Sequence, residues 1–291
     1  MALTIHTNYS SLLTQTNLNK TNNALAVNQQ RLGTGLRINS SSDDAAGLQI
    51  ATRLSAQTKG MAVAMRNVSD ASSLLQTADG AFGEMTDILQ RMKDLATQSA
   101  NGTNSDDDRK SMQAEYDELG KELFNIMENT SYASEKLFGG DGATGKFSAA
   151  INFQIGATAA ESLELDVSTQ TGDLATALAG ISASYATAPA AGTEISTGTD
   201  ANATIDLLSA SLDSVGALRG QFGANINRLN HTANNLANMK DNTEMARGRI
   251  MDADFASESS MMSKNSMLLQ SGISMLKQTA QMPGMVMSLL G

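Results

Sequence analysis

The two ends of the chain carry almost no charge, and this restricts the fold more than any other feature. No acidic residue precedes Asp43, and the charged side chains of residues 1–42 are Lys20, Arg31 and Arg37. From Asn265 to Gly291 the one charge is Lys277. Leu18, Leu25 and Leu32 recur every seven residues, as do Met261, Leu268, Met275, Met282 and Leu289. Met262, Leu269 and Leu276 make a second row beside the latter. A heptad repeat lays an apolar stripe along a helix and favours pairing with another helix. The remaining faces are mostly amides and hydroxyls. They suit helices enclosed in a larger assembly, where every charge would have to be desolvated. The same content also permits a disordered polar tail. Both states fit one chain, disordered alone and helical once partners arrive. Pro283 lacks an N–H donor and is expected to end or kink the last helix.

Composition removes several function classes. The 291 residues include no Cys, no Trp and two His, against 17 Met. Without Cys there is no disulfide framework, thiolate metal site or cysteine nucleophile. Two histidines leave little for a metal centre. A net charge of -10 opposes nucleic-acid binding, which needs basic patches to neutralise phosphates. The N-terminus lacks the basic and continuous apolar regions of a cleaved secretory signal. No apolar run reaches the roughly 18 residues of a membrane-spanning helix, so membrane insertion is not expected.

Between the ends the helical period is cleaner. Leu74, Ala78, Ala81, Met85, Ile88, Met92 and Leu95 alternate steps of four and three, as do Met112, Tyr116, Leu119, Leu123 and Ile126. A third row runs Ile205, Leu208, Leu212, Val215, Arg219, Phe222, Ile226, Leu229, Ala233, Leu236 and Lys240. As helix that row would span about 54 Å, more than a small domain's diameter, so an elongated rod is expected. Asn101-Gly102 signals a turn, after which Ser105 or Asp106 can cap a helix whose first turn carries Asp106, Asp107 and Asp108. Phe147 to Phe153 and Ser162 to Val167 alternate as a β-hairpin. From Thr169 to Asn202 the chain is mostly Ala, Gly, Ser and Thr, and reads as an exposed loop or small excursion without a core of its own.

No catalytic constellation emerges. His6 and His231 belong to no HExxH pattern. Gly33-Thr34-Gly35 lacks the context of a phosphate loop. Asp106 to Asp108 lack calcium-loop spacing, Asp252-x-Asp254 reads as a helix-boundary device, and Asp43-Asp44 point different ways. No catalytic residue, metal site or cofactor is assigned.

The run Arg31-Leu32-Gly33-Thr34-Gly35-Leu36-Arg37-Ile38-Asn39, followed by Asp43-Asp44-Ala45-Ala46-Gly47-Leu48, resembles the N-terminal signature of bacterial flagellins. Leu89-Gln90-Arg91-Met92-Lys93-Asp94-Leu95 is similar to that family's LQRxRxL segment. Arg247 to Phe255 and Met282 to Leu290 are similar to its closing segment, and Phe153 to Gly156 with Leu165 to Val167 to its hairpin. The resemblance covers about residues 1–138 and 205–291.

The resemblance implies a mainly α fold. Paired terminal helices form an inner coiled coil from residues 1–42 and 255–291. A helical rod with a small β-hairpin takes residues 43–168 and 205–254, with a short variable excursion at 169–204. It implies a structural, non-enzymatic subunit of the extracellular flagellar filament used for motility, exported unfolded without a cleaved signal. Inner-tube assembly falls on Leu18, Leu25, Leu32, Met261, Leu268, Met275, Met282 and Leu289. Family-like recognition by host innate immune receptors falls on Gln90, Arg91, Leu95 and Glu115, whose main role would be rod-to-rod packing. Implied partners are further copies of the chain in a helical homopolymer, an export chaperone, and cap and hook-associated proteins. Gly291 departs from the basic last residue of some members. A hook–filament junction protein, with similar termini, is the alternative. A protease carried between flagellin ends is opposed by the absence of His from residues 139–204. An adhesin would need a folded outer domain, and none is evident.

Overall fold

A computed structural model describes residues 8–290, except the side chains of 282, 283 and 285–290. His6 and Gly291, and the side chains of Met282, Pro283 and Leu289, therefore lie outside the described residues. Among the described residues there are six α-helices: α1 Tyr9–Thr34, α2 Ala45–Ala100, α3 Asp106–Asn129, α4 Ser168–Ile181, α5 Gly198–Met251 and α6 Phe255–Leu290. Two small antiparallel pairs interrupt them, β1 Ser131–Tyr132 with β2 Glu135–Lys136, and β3 Ile151–Gln154 with β4 Ser162–Leu165. The chain is mainly α, as expected.

The helix boundaries are written in the caps. Asn8 accepts the Ser11 N–H at the start of α1, and Gly35, at φ 72°, ends it by donating to the Arg31 carbonyl. That left-handed conformation favours glycine. Asp44 accepts the Gly47 N–H at the head of α2. Ser105 and Asp108 form a reciprocal capping box on α3, so of the two expected caps Ser105 is used. Asp254 accepts the Ala256 and Ser257 N–H groups at the head of α6, which makes it the boundary device expected of it. Pro283 does not end the last helix, which continues to Leu290. A proline removes one N–H and leaves the flanking bonds available.

Two compact units form, one from residues 1–58 and 241–291 and one from 59–240. These limits differ from 42/43 and 254/255, because the first turns of α2 and the last of α5 group with the terminal helices.

In the first unit α1 and α6 pair antiparallel. Asn8 donates to the Thr279 carbonyl at one end, and Ala253 donates to the Gly35 carbonyl at the other. A short bridge of Leu36 with Asp252, flanked by the Arg37 N–H on the Met251 carbonyl, ties the helix ends together.

The second unit holds one continuous core. The rows on α2, α3 and α5 meet there, with Leu74, Ala78, Met85, Met92, Met112, Tyr116, Leu123, Leu208, Val215, Phe222, Leu229 and Leu236 buried. Arg219, which interrupts the α5 row, reaches Asp79 on α2 at 3.0 Å. Phe82 packs on Phe138 and Phe222 at 4.8 and 5.7 Å, and Phe147 packs on Phe138 and Phe222 at 5.3 and 5.2 Å. Four phenylalanines thus supply the large aromatic surface that the composition otherwise lacks. The expected hairpin is present in shorter form, with Asn152 opposite Glu164 and Phe153 opposite Leu163. Phe147 lies before it, in a short 3-10 turn over residues 146–148.

Residues 169–204 depart from expectation. Instead of an exposed excursion, α4 buries Leu174, Leu178 and Ile181, and the segment after it buries Tyr185 and Ile195 in the same core. Polar side chains of α3 hold that segment down. Gln113 accepts the Ile195 N–H and donates to Glu194, Asp117 accepts the Gly192 N–H, and Tyr116 donates to the Ile181 carbonyl at 2.8 Å. A segment too poor in large residues for its own core becomes ordered by joining one.

Candidate functional site

The terminal pair presents two kinds of face. On α1 the half-buried or buried positions include Ser11, Thr14, Leu18, Thr21, Leu25, Asn28 and Leu32, a run of alternating three- and four-residue steps, with Ser10, Ala24 and Arg31 half-buried at its edge. On α6 they are Glu258, Met262, Asn265, Leu269, Gly272, Leu276 and Thr279. This is the heptad geometry of a two-helix seam. Gly272 matters to it, because a Cβ there would lie 2.8 Å from Leu18 Cδ1. Its lack of a side chain lets the two helices approach.

The seam is mixed rather than dry. Asn28 donates to Glu258 at 2.7 Å, Arg31 bonds Glu258 at 3.0 Å, and Asn265 reaches Asn28 at 3.4 Å. The Glu258 side chain is only 8% exposed, so two donors compensate a charge that burial alone would penalise. A polar layer of this kind penalises other registers, since a shift would strand its members. Sequence reasoning missed it. Glu258 is the last acid of the chain and stands against the otherwise acid-free α1, which was the available signal.

The structure separates the two α6 rows. Met262, Leu269 and Leu276 face α1. Met261, Leu268 and Met275 are 48%, 48% and 54% exposed. Leu18, Leu25 and Leu32 belong to the inner seam, whereas Tyr9, Leu12, Leu13 and Val27 are exposed on α1. Met282 and Leu289 lie outside the described side chains. The terminal pair therefore carries apolar stripes that it does not itself bury. Methionine divides likewise: Met61, Met85, Met92, Met112 and Met127 are core, while Met245, Met261, Met267 and Met275 are exposed.

In the second unit, Arg91 on α2 donates through Nε and Nη2 to Glu115 Oε1 on α3, at 2.9 and 2.6 Å. Both side chains are about half exposed, so the pair contributes at most about 1 kcal/mol to stability. Gln90 is exposed beside it. Leu95 is not part of this surface. It is 2% exposed, because its step along the helix turns it into the core row. The exposed set is reduced to Gln90, Arg91 and Glu115.

Among the described residues no group of three His, Cys, Asp or Glu side chains is placed to hold a metal, and no helix is long and apolar enough to cross a membrane. An open cleft of about 740 Å³ is lined by Asp241, Glu244, Arg249, Asp252 and Asp254 with Met245. It is lined by carboxylates and a guanidinium, with no hydroxyl, thiol or imidazole side chain among its lining residues.

Residues 5–143 match the bacterial flagellin N-terminal helical region, and residues 205–290 the C-terminal helical region. The chain is 35% identical to flagellin A of Vibrio anguillarum, in an alignment of 379 positions that takes in the whole of both chains. That alignment is longer than this chain, so the relative carries segments absent here. A crystal structure of Bacillus cereus flagellin, 30% identical, covers 59% of this chain and 88% of its own, with a TM-score of 0.49. A flagellar hook-associated protein from Vibrio parahaemolyticus, described as putative, covers 72% and 100% at a TM-score of 0.55; at 14% identity it shares the fold alone. The unburied stripes of the terminal pair, the two matched terminal regions and the full-length relative agree, and the chain belongs to the bacterial flagellins, structural subunits of the extracellular flagellar filament.

Proposed function

We propose that this subunit polymerises by giving the outward stripes of its terminal pair to neighbouring copies. The row Met261, Leu268 and Met275 carries the reading. It repeats every seven residues, is about half exposed, and stands beside a row already used by α1. The expected apolar partner is a second copy's exposed α1 stripe of Leu12, Leu13 and Val27. Head-to-tail contacts that do not close into a ring generate a helical polymer. Met282 and Leu289 extend the same heptad and are assigned to the same surface. Exposed methionines suit it, since an unbranched thioether side chain adapts to slightly different neighbours.

Gln90, Arg91 and Glu115 form the patch assigned to packing between second units, and to a host innate immune receptor where the subunit is free. An exposed arginine paired in a shallow setting is an adaptable interface anchor. The nearly uncharged ends fit export as an unfolded chain. A chaperone during export, and cap and hook-associated proteins at the filament's ends, are the further partners of this reading.

The test replaces Met261, Leu268 and Met275 together by Ser. The subunit is expected to keep the circular dichroism of its second unit and to form no filaments in electron micrographs. Filaments of normal length and shape from that variant would remove the assignment.

A further inference from the structure

A cleft of about 470 Å³ opens in the second unit between the C-terminal end of α3, the turn at 140–144 and α4. Phe124 and Tyr185 supply aromatic surface to it, their rings edge to face at 5.4 Å. Ala175, Ala179 and Ala186 bring methyl groups, and Glu128 and Asp141 bring carboxylates. Tyr185 is 5% exposed, and its hydroxyl is buried with no hydrogen-bond partner. An unpaired buried hydroxyl is destabilising, a penalty that a phenylalanine at this position would avoid.

The surroundings say what kind of group would satisfy it. Glu128 is paired with Lys136 and accepts the Gly140 N–H at 2.9 Å. Asp141 accepts the Ala143 N–H and the Thr144 hydroxyl, and no cationic side chain pairs with it among the described residues. Burial first, then the charges of Asp141 and Glu128, push the Tyr185 hydroxyl well above the ordinary tyrosine range. The cleft thus retains one uncompensated negative charge beside aromatic and methyl surface. A divalent metal ion would want about six or more oxygen ligands, whereas two carboxylates already engaged by backbone and side-chain donors offer few. An organic cation uses all three features, with attraction to the ring faces, apolar contact along its stem and charged hydrogen bonds at its head.

We propose that this cleft binds a primary alkylammonium ion, its stem against Phe124, Ala175 and Ala179 and its N–H donors on the Tyr185 hydroxyl and the Asp141 carboxylate. A free amine and a lysine side chain share this chemistry.

The experiment titrates the full-length monomer with n-butylammonium, Nα-acetyl-lysine amide and 1-butanol while following alanine methyl resonances by NMR. Butylammonium is expected to shift Ala175, Ala179 and Ala186 saturably, and 1-butanol to leave them in place. Tighter binding of butylammonium than of the lysine amide marks a free amine as the source, and the reverse marks a side chain. Asp141→Asn keeps a turn acceptor while removing the charge, and should weaken binding about tenfold. Tyr185→Phe keeps the ring and should weaken it several-fold. Equal shifts from 1-butanol, no saturation below about 50 mM, or unchanged affinity in both variants would overturn the proposal. Should a variant melt early, the comparison of butylammonium with butanol on the unaltered chain decides alone. Failure here leaves the assembly reading of the terminal helices untouched.

Discussion

Asn28 on α1 donates its side-chain amide to Glu258 on α6 at 2.7 Å, across 230 positions of sequence. Arg31 adds a second charged contact to the same carboxylate. Removing the carboxylate leaves a buried amide and a half-buried guanidinium without their acceptor. Glu258→Ala is expected to cost about 2–4 kcal/mol, and Glu258→Gln less. The readout is the midpoint of thermal depolymerisation of filaments, which should fall in that order. Equal midpoints for both variants and the parent would show that the layer does not hold the pairing.

The phenylalanine cluster makes a separate claim about the second unit. Phe222 is fully buried, stacks on Phe82 and packs at a tilt against Phe147. Phe222→Ala should destabilise by about 3–5 kcal/mol. Urea unfolding of the monomer measures this directly, with the midpoint moving to lower denaturant.

The strap formed by Gln113 and Glu194 should be separable from the core. Glu194 accepts both the Gln113 side chain and the Ala183 N–H, so it fixes two parts of the segment after α4. Gln113→Ala is expected to cost about 1–3 kcal/mol by stranding the Ile195 N–H. Limited proteolysis within residues 182–197 should quicken well before the whole unit melts.

Acid should loosen the second unit in a defined direction. Asp108 is held below the ordinary aspartate range by the Ser105 hydroxyl and N–H, Asp141 by the Ala143 N–H and Thr144, and Glu135 by Lys146. Carboxylates depressed in the folded state contribute stability that is complete above their unfolded values, near pH 4. That contribution is lost as pH falls through the lower folded values. Tyr116 is raised instead, by burial first and then by Glu194 and Asp117. Its contribution is complete below about pH 10 and declines as pH rises above that. In an absorbance titration, Tyr116 and Tyr185 should ionise only with unfolding.

How much of this could be read in advance depended on how local the signal was. The rows on α2, α3 and α5 were legible because each repeats along its own helix, and the buried positions Met85, Leu123 and Leu229 fall on them. The cap at Ser105 was legible for the same reason. The two α6 rows were both visible, but which one faced α1 was not. That choice depends on Gly272 meeting Leu18 and on Glu258 meeting Asn28, contacts between distant residues. The 169–204 segment failed because Leu174, Leu178 and Ile181 are too few to suggest burial until the other surface is known. Leu95 stood in both a core row and an interface set, and its helical phase resolves it to the core.

The antiparallel seam also imposes an order of events. Asn8 meets the carbonyl of Thr279, 271 positions later. A chain emerging amino end first therefore exposes α1 with nothing to pair with until the other end arrives. Contacts this remote in sequence are slow to form, whereas α2 and α3, joined by a short turn, can find one another early. The distance between the two ends acts as a delay. The surfaces proposed above to join copies together would then be completed last.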